Sequence, residues 1–301
     1  MATESLQPSS VTPSFIKSSA RLRRRQFISK VFAFVCMGIT MLAFAALVWL
    51  LWGIFKEGFH RLSWEFLNSF PSRRAENAGI KAALYGSVYV LLVAMAFSVP
   101  IGIGAAIFLQ EYSERNKFAQ FAQVNIANLA GVPSIVYGIL GLALFVRLMN
   151  LERSVLAGGL TLGVLVMPVI IITAQEALRA VPSSLRDGSY ALGATRWQTI
   201  SRQVLPVAMP GILTGIILSM ARAMGETAPL ILMGALTYVA FVPESLRDSF
   251  TALPIQIFNW TGRPQEAFQE IAAAGIIVLL GVLLSLNAVA IFLRYRCSRN
   301  R

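Results

Sequence analysis

Residues 176–211 read EALRAVPSSLRDGSYALGATRWQTISRQVLPVAMPG and lie between two long apolar runs. Among the long connections, this one carries helix-start signals inside a polar segment. Val181-Pro182 disfavours helix at Val181, because the proline ring clashes with the backbone before it. Ser184 followed by Asp187 has the capping-box pattern, a hydroxyl at the N-cap and a carboxylate three residues on. Leu185, Gly188 and Leu192 then share one helical face. Gly193 permits a sharp turn, since it lacks the Cβ that makes positive φ costly. Thr195 with Gln198 offers a second capping box, and Pro206 is expected to end the second helix. The segment reads as a short helix, a glycine turn and a second short helix at a membrane surface. Local signals leave an ordinary amphipathic linker open as the alternative.

The surrounding composition fixes the class. The chain has 301 residues, of which 56% are hydrophobic and 13% charged, and the apolar residues gather in runs long enough to cross a bilayer. A net charge of +12 does not signal nucleic acid, because the basic residues sit at the ends of apolar runs instead of forming one stripe. Cys36 and Cys297 have neither a disulfide-framework nor a metal-ligand spacing, and the single His60 excludes a multi-histidine metal site within this chain. No phosphate-loop motif of the G-x-x-x-x-G-K-[ST] type is present, and no nucleophile–base pair stands out. Catalysis, and a cofactor held by this chain, are not expected.

Residues 1–26 read as a disordered basic tail, and residues 297–301 as a second basic tail. Between them, the 27–296 segment reads as an all-α membrane domain with six spans. These are about Phe27–Phe55, Ala82–Leu109, Val124–Val146, Val155–Ala174, Val207–Leu236 and Ile271–Leu293, each long enough for a hydrocarbon core of about 30 Å. The first run far exceeds a signal-peptide core of roughly 7–15 residues, so it is a span and not a leader. With both termini inside, 16 Lys and Arg residues fall on the inner side and 9 on the outer. That bias puts the 176–206 loop in the cytoplasm. On the outer side, Leu253–Trp260 reads either as an interfacial helix with Trp260 at headgroup level or as a cover over the bundle mouth.

The fifth span holds the unusual chemistry. Arg222 and Glu226 stand four apart in an apolar run, a spacing that puts them on one helix face. Each charge costs about 2.5–3.5 kcal/mol near the bilayer centre, so such residues usually face a polar interior. Two roles remain open: an ion pair that fixes packing, or a polar station on an ion path. Ser134 and Tyr137 beside Pro133 are open in the same way, between satisfying freed backbone groups and touching substrate.

These features resemble one family. Asp187-Gly188-Ser189, then Gly193, then Gln203-Val204-Leu205-Pro206 resemble the EAA loop of binding-protein-dependent ABC importer permeases, with Asp for the usual Glu and Gly-Ser for Ala-Ala. Arg222–Thr227, Gly131–Gly138 and Leu253–Trp260 narrow the resemblance to the phosphate-importer permeases (PstA) within it, and it extends from about Ala82 to Arg296. The resemblance implies a type I ABC importer permease fold in the inner membrane. It assigns ATPase coupling to Ser184, Leu185, Asp187, Gly188, Tyr190, Leu192, Gly193, Leu205 and Pro206. It assigns the substrate path to Arg222, Glu226, Thr227, Ser134 and Tyr137. The partners it implies are a homologous permease (PstC-like), an ATPase dimer that uses ATP (PstB-like), a periplasmic phosphate-binding protein (PstS-like) and inorganic phosphate. Sulfate, molybdate or phosphonate permeases are the rivals within the class; a secondary transporter working without ATP is the rival outside it.

Overall fold

A computed structural model describes residues 19–113, 116–235 and 238–299, and among them every regular element is helical. The chain divides into two units, residues 1–53 and 54–301. The first unit is most of α1 (Ser19–Gly58), a continuous helix whose side chains from Leu22 onward are exposed and largely apolar. Such an all-round apolar surface suits a helix surrounded by lipid. The helix starts earlier than the tail boundary at residue 26 would have it. Arg23, Arg24 and Arg25 lie in its first turns, because Leu, Arg and Gln extend a helix that the adjoining span has already nucleated. At the other end α12 (Glu266–Arg299) likewise carries helix into the expected tail. Residues 1–18 lie outside the described residues.

In the second unit, α2 (Trp64–Asn68) is capped by Ser63, whose Oγ accepts the Phe66 N–H. There follow α3 (Lys81–Ile107), extended by a π turn at Phe108–Tyr112, then α4 (Lys117–Ala130) and α5 (Ser134–Gly141), itself extended by a π turn at Leu142–Leu148. The long α6 (Val155–Arg179) leads to α7 (Ser183–Ala191). After the turn, α8 (Arg196–Thr199), a π turn at Ile200–Val204 and α9 (Leu205–Gly225) run on as one rod. Two short helices, α10 (Ala228–Met233) and α11 (Leu253–Thr261), precede α12.

Among the described residues, five helices are long and apolar enough to cross a membrane, and α4 with α5 makes a sixth if the bent pair counts as one span. The expected third span is therefore not one rod, since the pair is bent by 103°. Pro133 has φ −55° and ψ 136°, so it leaves the helical region and opens α5 instead of kinking a continuous helix. The fifth span also departs from expectation: the rod ends at Gly225, and α10 is a separate piece. Pro206 does not end the second short helix. The π turn before it widens the backbone ahead of the ring, and the proline is taken up in the first turn of α9, where a missing N–H matters little.

Small residues set the crossings. α3 meets α6 where Gly102 faces Ile170 and Gly163 faces Phe97, and α6 meets α9 at Gly211–Ala177 and Gly215–Thr173. In lipid, where apolar surface alone does not drive helices together, such close approach supplies the association. At its first turns α3 grips the loop that leads into α11: the Leu253 N–H donates to Ser87 Oγ at 2.8 Å, and Gly86 lies against the Thr251 carbonyl. Trp260 is fully buried beside Phe66 and Ile271, so it is a core residue and not a headgroup anchor. Its ring supplies more apolar area than any other side chain of α11, and α11 turns that side inward.

Candidate functional site

Two places collect the residues that the sequence singled out. The first is the α7–α8 element. α7 begins at Ser183 with Pro182 at the N-cap and no side-chain cap, so Ser184 is inside the helix and its capping box with Asp187 does not form. Proline's preset φ, here −58°, already places the chain for helix entry one residue earlier. The end of α7 matches expectation. Gly193 has φ +78°, its N–H donates to Tyr190 O at 2.9 Å, and the Ala194 N–H donates to Ser189 O at 3.2 Å, which together make a Schellman cap. The second capping box is also present, with Thr195 Oγ1 accepting the Gln198 N–H and Gln198 Oε1 accepting the Thr195 N–H. Ser189 and Thr199 hydroxyls, 2.9 Å apart, tie the two short helices to each other.

What this element offers to solvent includes several large apolar side chains. Leu192 is 91% exposed, and Leu185, Tyr190 and Trp197 are exposed as well; Trp197 carries no sequence signal that set it apart. Between the helices runs an open groove of about 550 Å³, lined by Ser184, Leu185, Gly188, Leu192, Gln198 and Arg202 among others. Asp187 is exposed, whereas Leu205 and Pro206 are half-buried at the root of the element. Leu192, Leu185, Tyr190 and Trp197 thus put four large apolar side chains in contact with solvent on one small element.

Sequence reading missed the anchor of this element. Arg186 forks onto Glu111, with Nη2 to Oε1 at 2.6 Å and Nε to Oε2 at 3.2 Å, and Glu111 is buried. The same guanidinium donates to the carbonyls of Val181 and Leu178. The two residues are 75 positions apart, and each alone reads as a solvated charge.

The second place is the break in the fifth span. Arg222 lies in the last turn of α9, where unsatisfied carbonyls favour a cation. Glu226 has left the helix, with φ −78° and ψ 121°, so the two no longer share a helical face; they still meet, with Nε 3.5 Å from Oε1. The pair is loose, and 42% of the Arg222 side chain is exposed against 20% of Glu226. An open pair of this kind contributes about 0–1 kcal/mol, well short of the roughly 2.5–3.5 kcal/mol that one charge costs at mid-bilayer. Thr227 sits half-buried at the N-cap of α10.

The bend in the third span packs on this break. A Cβ on Gly138 would come within 2.7 Å of Pro229 Cα, so only glycine lets α5 and α10 touch. Tyr137 is buried there, and its hydroxyl donates to the Leu129 carbonyl at 2.8 Å, closing the bend. Its ring shares a cluster with Ala223 and Met224, within electrostatic reach of Arg222. Ser134 is half-buried at the first turn of α5. Arg222, Glu226, Thr227 and Tyr137 are thus gathered around one helix break, with Ser134 about one turn away. No group of three or more His, Cys, Asp or Glu able to hold a metal occurs among the described residues.

Comparison with known proteins gives three consistent results. The family model described as binding-protein-dependent transport system inner membrane component matches residues 98–299. The phosphate transport system permease protein PstA 1 of Mycobacterium tuberculosis is 32% identical over 288 residues, covering 93% of this chain and 92% of that protein. PstA of Yersinia pestis is 34% identical over 245 residues, with 81% and 82% covered. Among solved structures, a chain of a bacterial alginate ABC transporter in complex with a periplasmic protein superposes with a TM-score of 0.63 at 15% identity, covering 91% of this chain and 96% of its own.

Proposed function

The chain belongs to the family of binding-protein-dependent transport system inner membrane components, with the fold of type I ABC importer permeases, and we propose that it is the permease subunit of an ATP-driven phosphate importer. It is a multi-pass membrane protein of a family that works with ATPase and substrate-binding subunits. Here the partners are a PstC-like permease, a PstB-like ATPase dimer and a PstS-like periplasmic phosphate-binding protein. ATP is bound and used by the ATPases, and this chain contributes half of the phosphate path without catalysis of its own.

The break at Arg222–Glu226 carries the phosphate reading. A guanidinium held loosely by its own carboxylate is free to exchange that partner for an anion, and its charge at a helix C-terminus is retained without one. Thr227 and Ser134 add hydroxyls near the same opening. The exposed Leu192 turn and the groove beside it are the surface that enters the ATPase. Closure of the ATPases then moves α7 and α8, and the path opens outward to receive phosphate.

Proteoliposomes holding the four components test this directly. Labelled phosphate is expected to leave vesicles inserted inside-out with respect to the cell, with binding protein and phosphate inside and ATP outside, or to be taken up by right-side-out vesicles with the sides exchanged. Movement of sulfate at an equal rate would point to a general oxyanion permease, and movement without ATP or ATPase to a secondary transporter. Orientation is tested separately by Ser183→Cys in α7 and Ser245→Cys in the exposed stretch before Phe250. An impermeant thiol reagent added to whole cells with a permeabilised outer membrane is expected to label the second and not the first. Labelling of both places α7 outside and removes the ATPase from the scheme.

A further inference from the structure

We propose that the Arg186–Glu111 ion pair is a positioning joint, which makes the docking element and α3 one rigid body so that ATPase-driven movement travels along α3 to the outer loop. This rests on the reading of α7 and α8 as the ATPase-docking element. One guanidinium gathers three pieces of chain: its own helix α7, the carbonyls of Leu178 and Val181 at the end of α6, and the Glu111 carboxylate in the π turn that ends α3. A planar fork holds orientation as well as distance, which the single point charge of lysine does not. The charges are withdrawn from solvent, with 7% of the Glu111 side chain and 19% of the Arg186 side chain exposed, so water and salt screen them little.

Two further contacts make the joint stiff. The Arg196 guanidinium lies over the Tyr112 ring at 5.1 Å, which fastens α8 to the same π turn. Leu109, Leu178, Val181 and Val204 share one apolar cluster beneath it. With α7 and α8 tied through Ser189 and Thr199, the element has little freedom to tilt on its own. α3 and its π turn run unbroken for 32 residues, and from Glu111 at this joint back to Ser87 the rod spans about 36 Å at helical rise, to the turns where Gly86 and Ser87 hold Thr251 and Leu253. One rod therefore has its two ends fastened to the docking element and to the outer loop.

The test is phosphate moved per ATP hydrolysed in the assembled complex with saturating binding protein. Glu111→Gln and Arg186→Lys are each expected to lower that ratio at least tenfold while ATP hydrolysis stays within about twofold of the parent. The double variant Glu111→Cys with Arg186→Cys is expected to behave likewise. Bridging its thiols with a bis-methanethiosulfonate of the ion pair's length is expected to restore the ratio to within about threefold. A parental ratio in Arg186→Lys and in the unbridged double variant overturns the joint. So does a bridged form that is blocked where the unbridged form works, because the two elements would then have to part during the cycle. Loss of ATPase from the purified complex without recovery on bridging also overturns it, since the pair would then serve assembly alone. A parent complex that does not link ATP to uptake tells against the importer reading instead, and the two failures are told apart by that control.

Discussion

Phosphate uptake is expected to fall at least a hundredfold when Arg222 becomes glutamine, with the complex still assembled. Glutamine fits the space and keeps hydrogen-bond donors, but it removes the cation at the break. The loose geometry with Glu226 implies that little folding energy is at stake, because an exposed pair contributes about 0–1 kcal/mol. Assembly and thermal midpoint should therefore change little. Glu226→Gln is expected to act differently. A bare cation in a low-dielectric path would attract the anion and also hold it, and conduction needs a site weak enough to leave. On the proposed path the carboxylate would offset part of that charge and accept a hydrogen bond from the proton that hydrogen phosphate carries and sulfate lacks. Its amide offers a donor in that place, so phosphate should slow by about tenfold and discrimination against sulfate should narrow. Uptake of both labelled anions at matched expression checks this. Parental rate and selectivity in both variants would make the pair a packing feature and move the path elsewhere.

Gly193→Val is expected to leave ATP hydrolysis running while uptake falls at least tenfold. A Cβ at Gly193 meets nothing within 4 Å, so crowding plays no part. The effect comes from φ +78°, which costs a residue with a side chain about 1–2 kcal/mol and a β-branched one more. Relaxing that angle breaks the Schellman cap and swings α8 away from α7, which on the proposed reading takes Leu192 out of register with the ATPase. Gly193→Asn is the control, because asparagine tolerates this backbone region, and it should retain most of the uptake. Full uptake by the valine variant would reduce the segment to a linker.

Residue spacing made the α7–α8 element legible: a helix, a positive-φ glycine and the Thr195–Gln198 box are all local chemistry. Apolar run length gave the spans for the same reason. What escaped was set by contacts between distant parts. Pro133 announces an interruption, but a 103° bend depends on Gly138 settling against Pro229, nearly a hundred positions away. The four-residue spacing of Arg222 and Glu226 suggested a continuous helix, whereas α9 stops between them and the pair survives because one extended residue still brings the carboxylate back. The capping box at Ser184 lost to Pro182, whose fixed torsion acts before any side chain can. Arg186 and Glu111 gave no sign of each other, since nothing in either neighbourhood distinguishes a charge that will be buried from one that will stay wet.

The π turn at Ile200–Val204 has a consequence for how such a chain tolerates insertion and deletion. A π turn carries one residue more than an α turn, and a single residue corresponds to about 100° of rotation around a helix. Because α8 and α9 form one rod through it, the wider turn absorbs that spare residue, and the face of α8 that lines the groove keeps its phase with the face of α9 that carries Arg222. Losing one residue there would close the π turn to an α turn and leave the two ends of the rod in nearly the same relative orientation. Losing one from the α-helical stretch between Pro206 and Arg222 would turn them by more than a quarter circle relative to each other. The interval between Thr199 and Leu205 is thus a place where the rod can give up a residue and keep both faces.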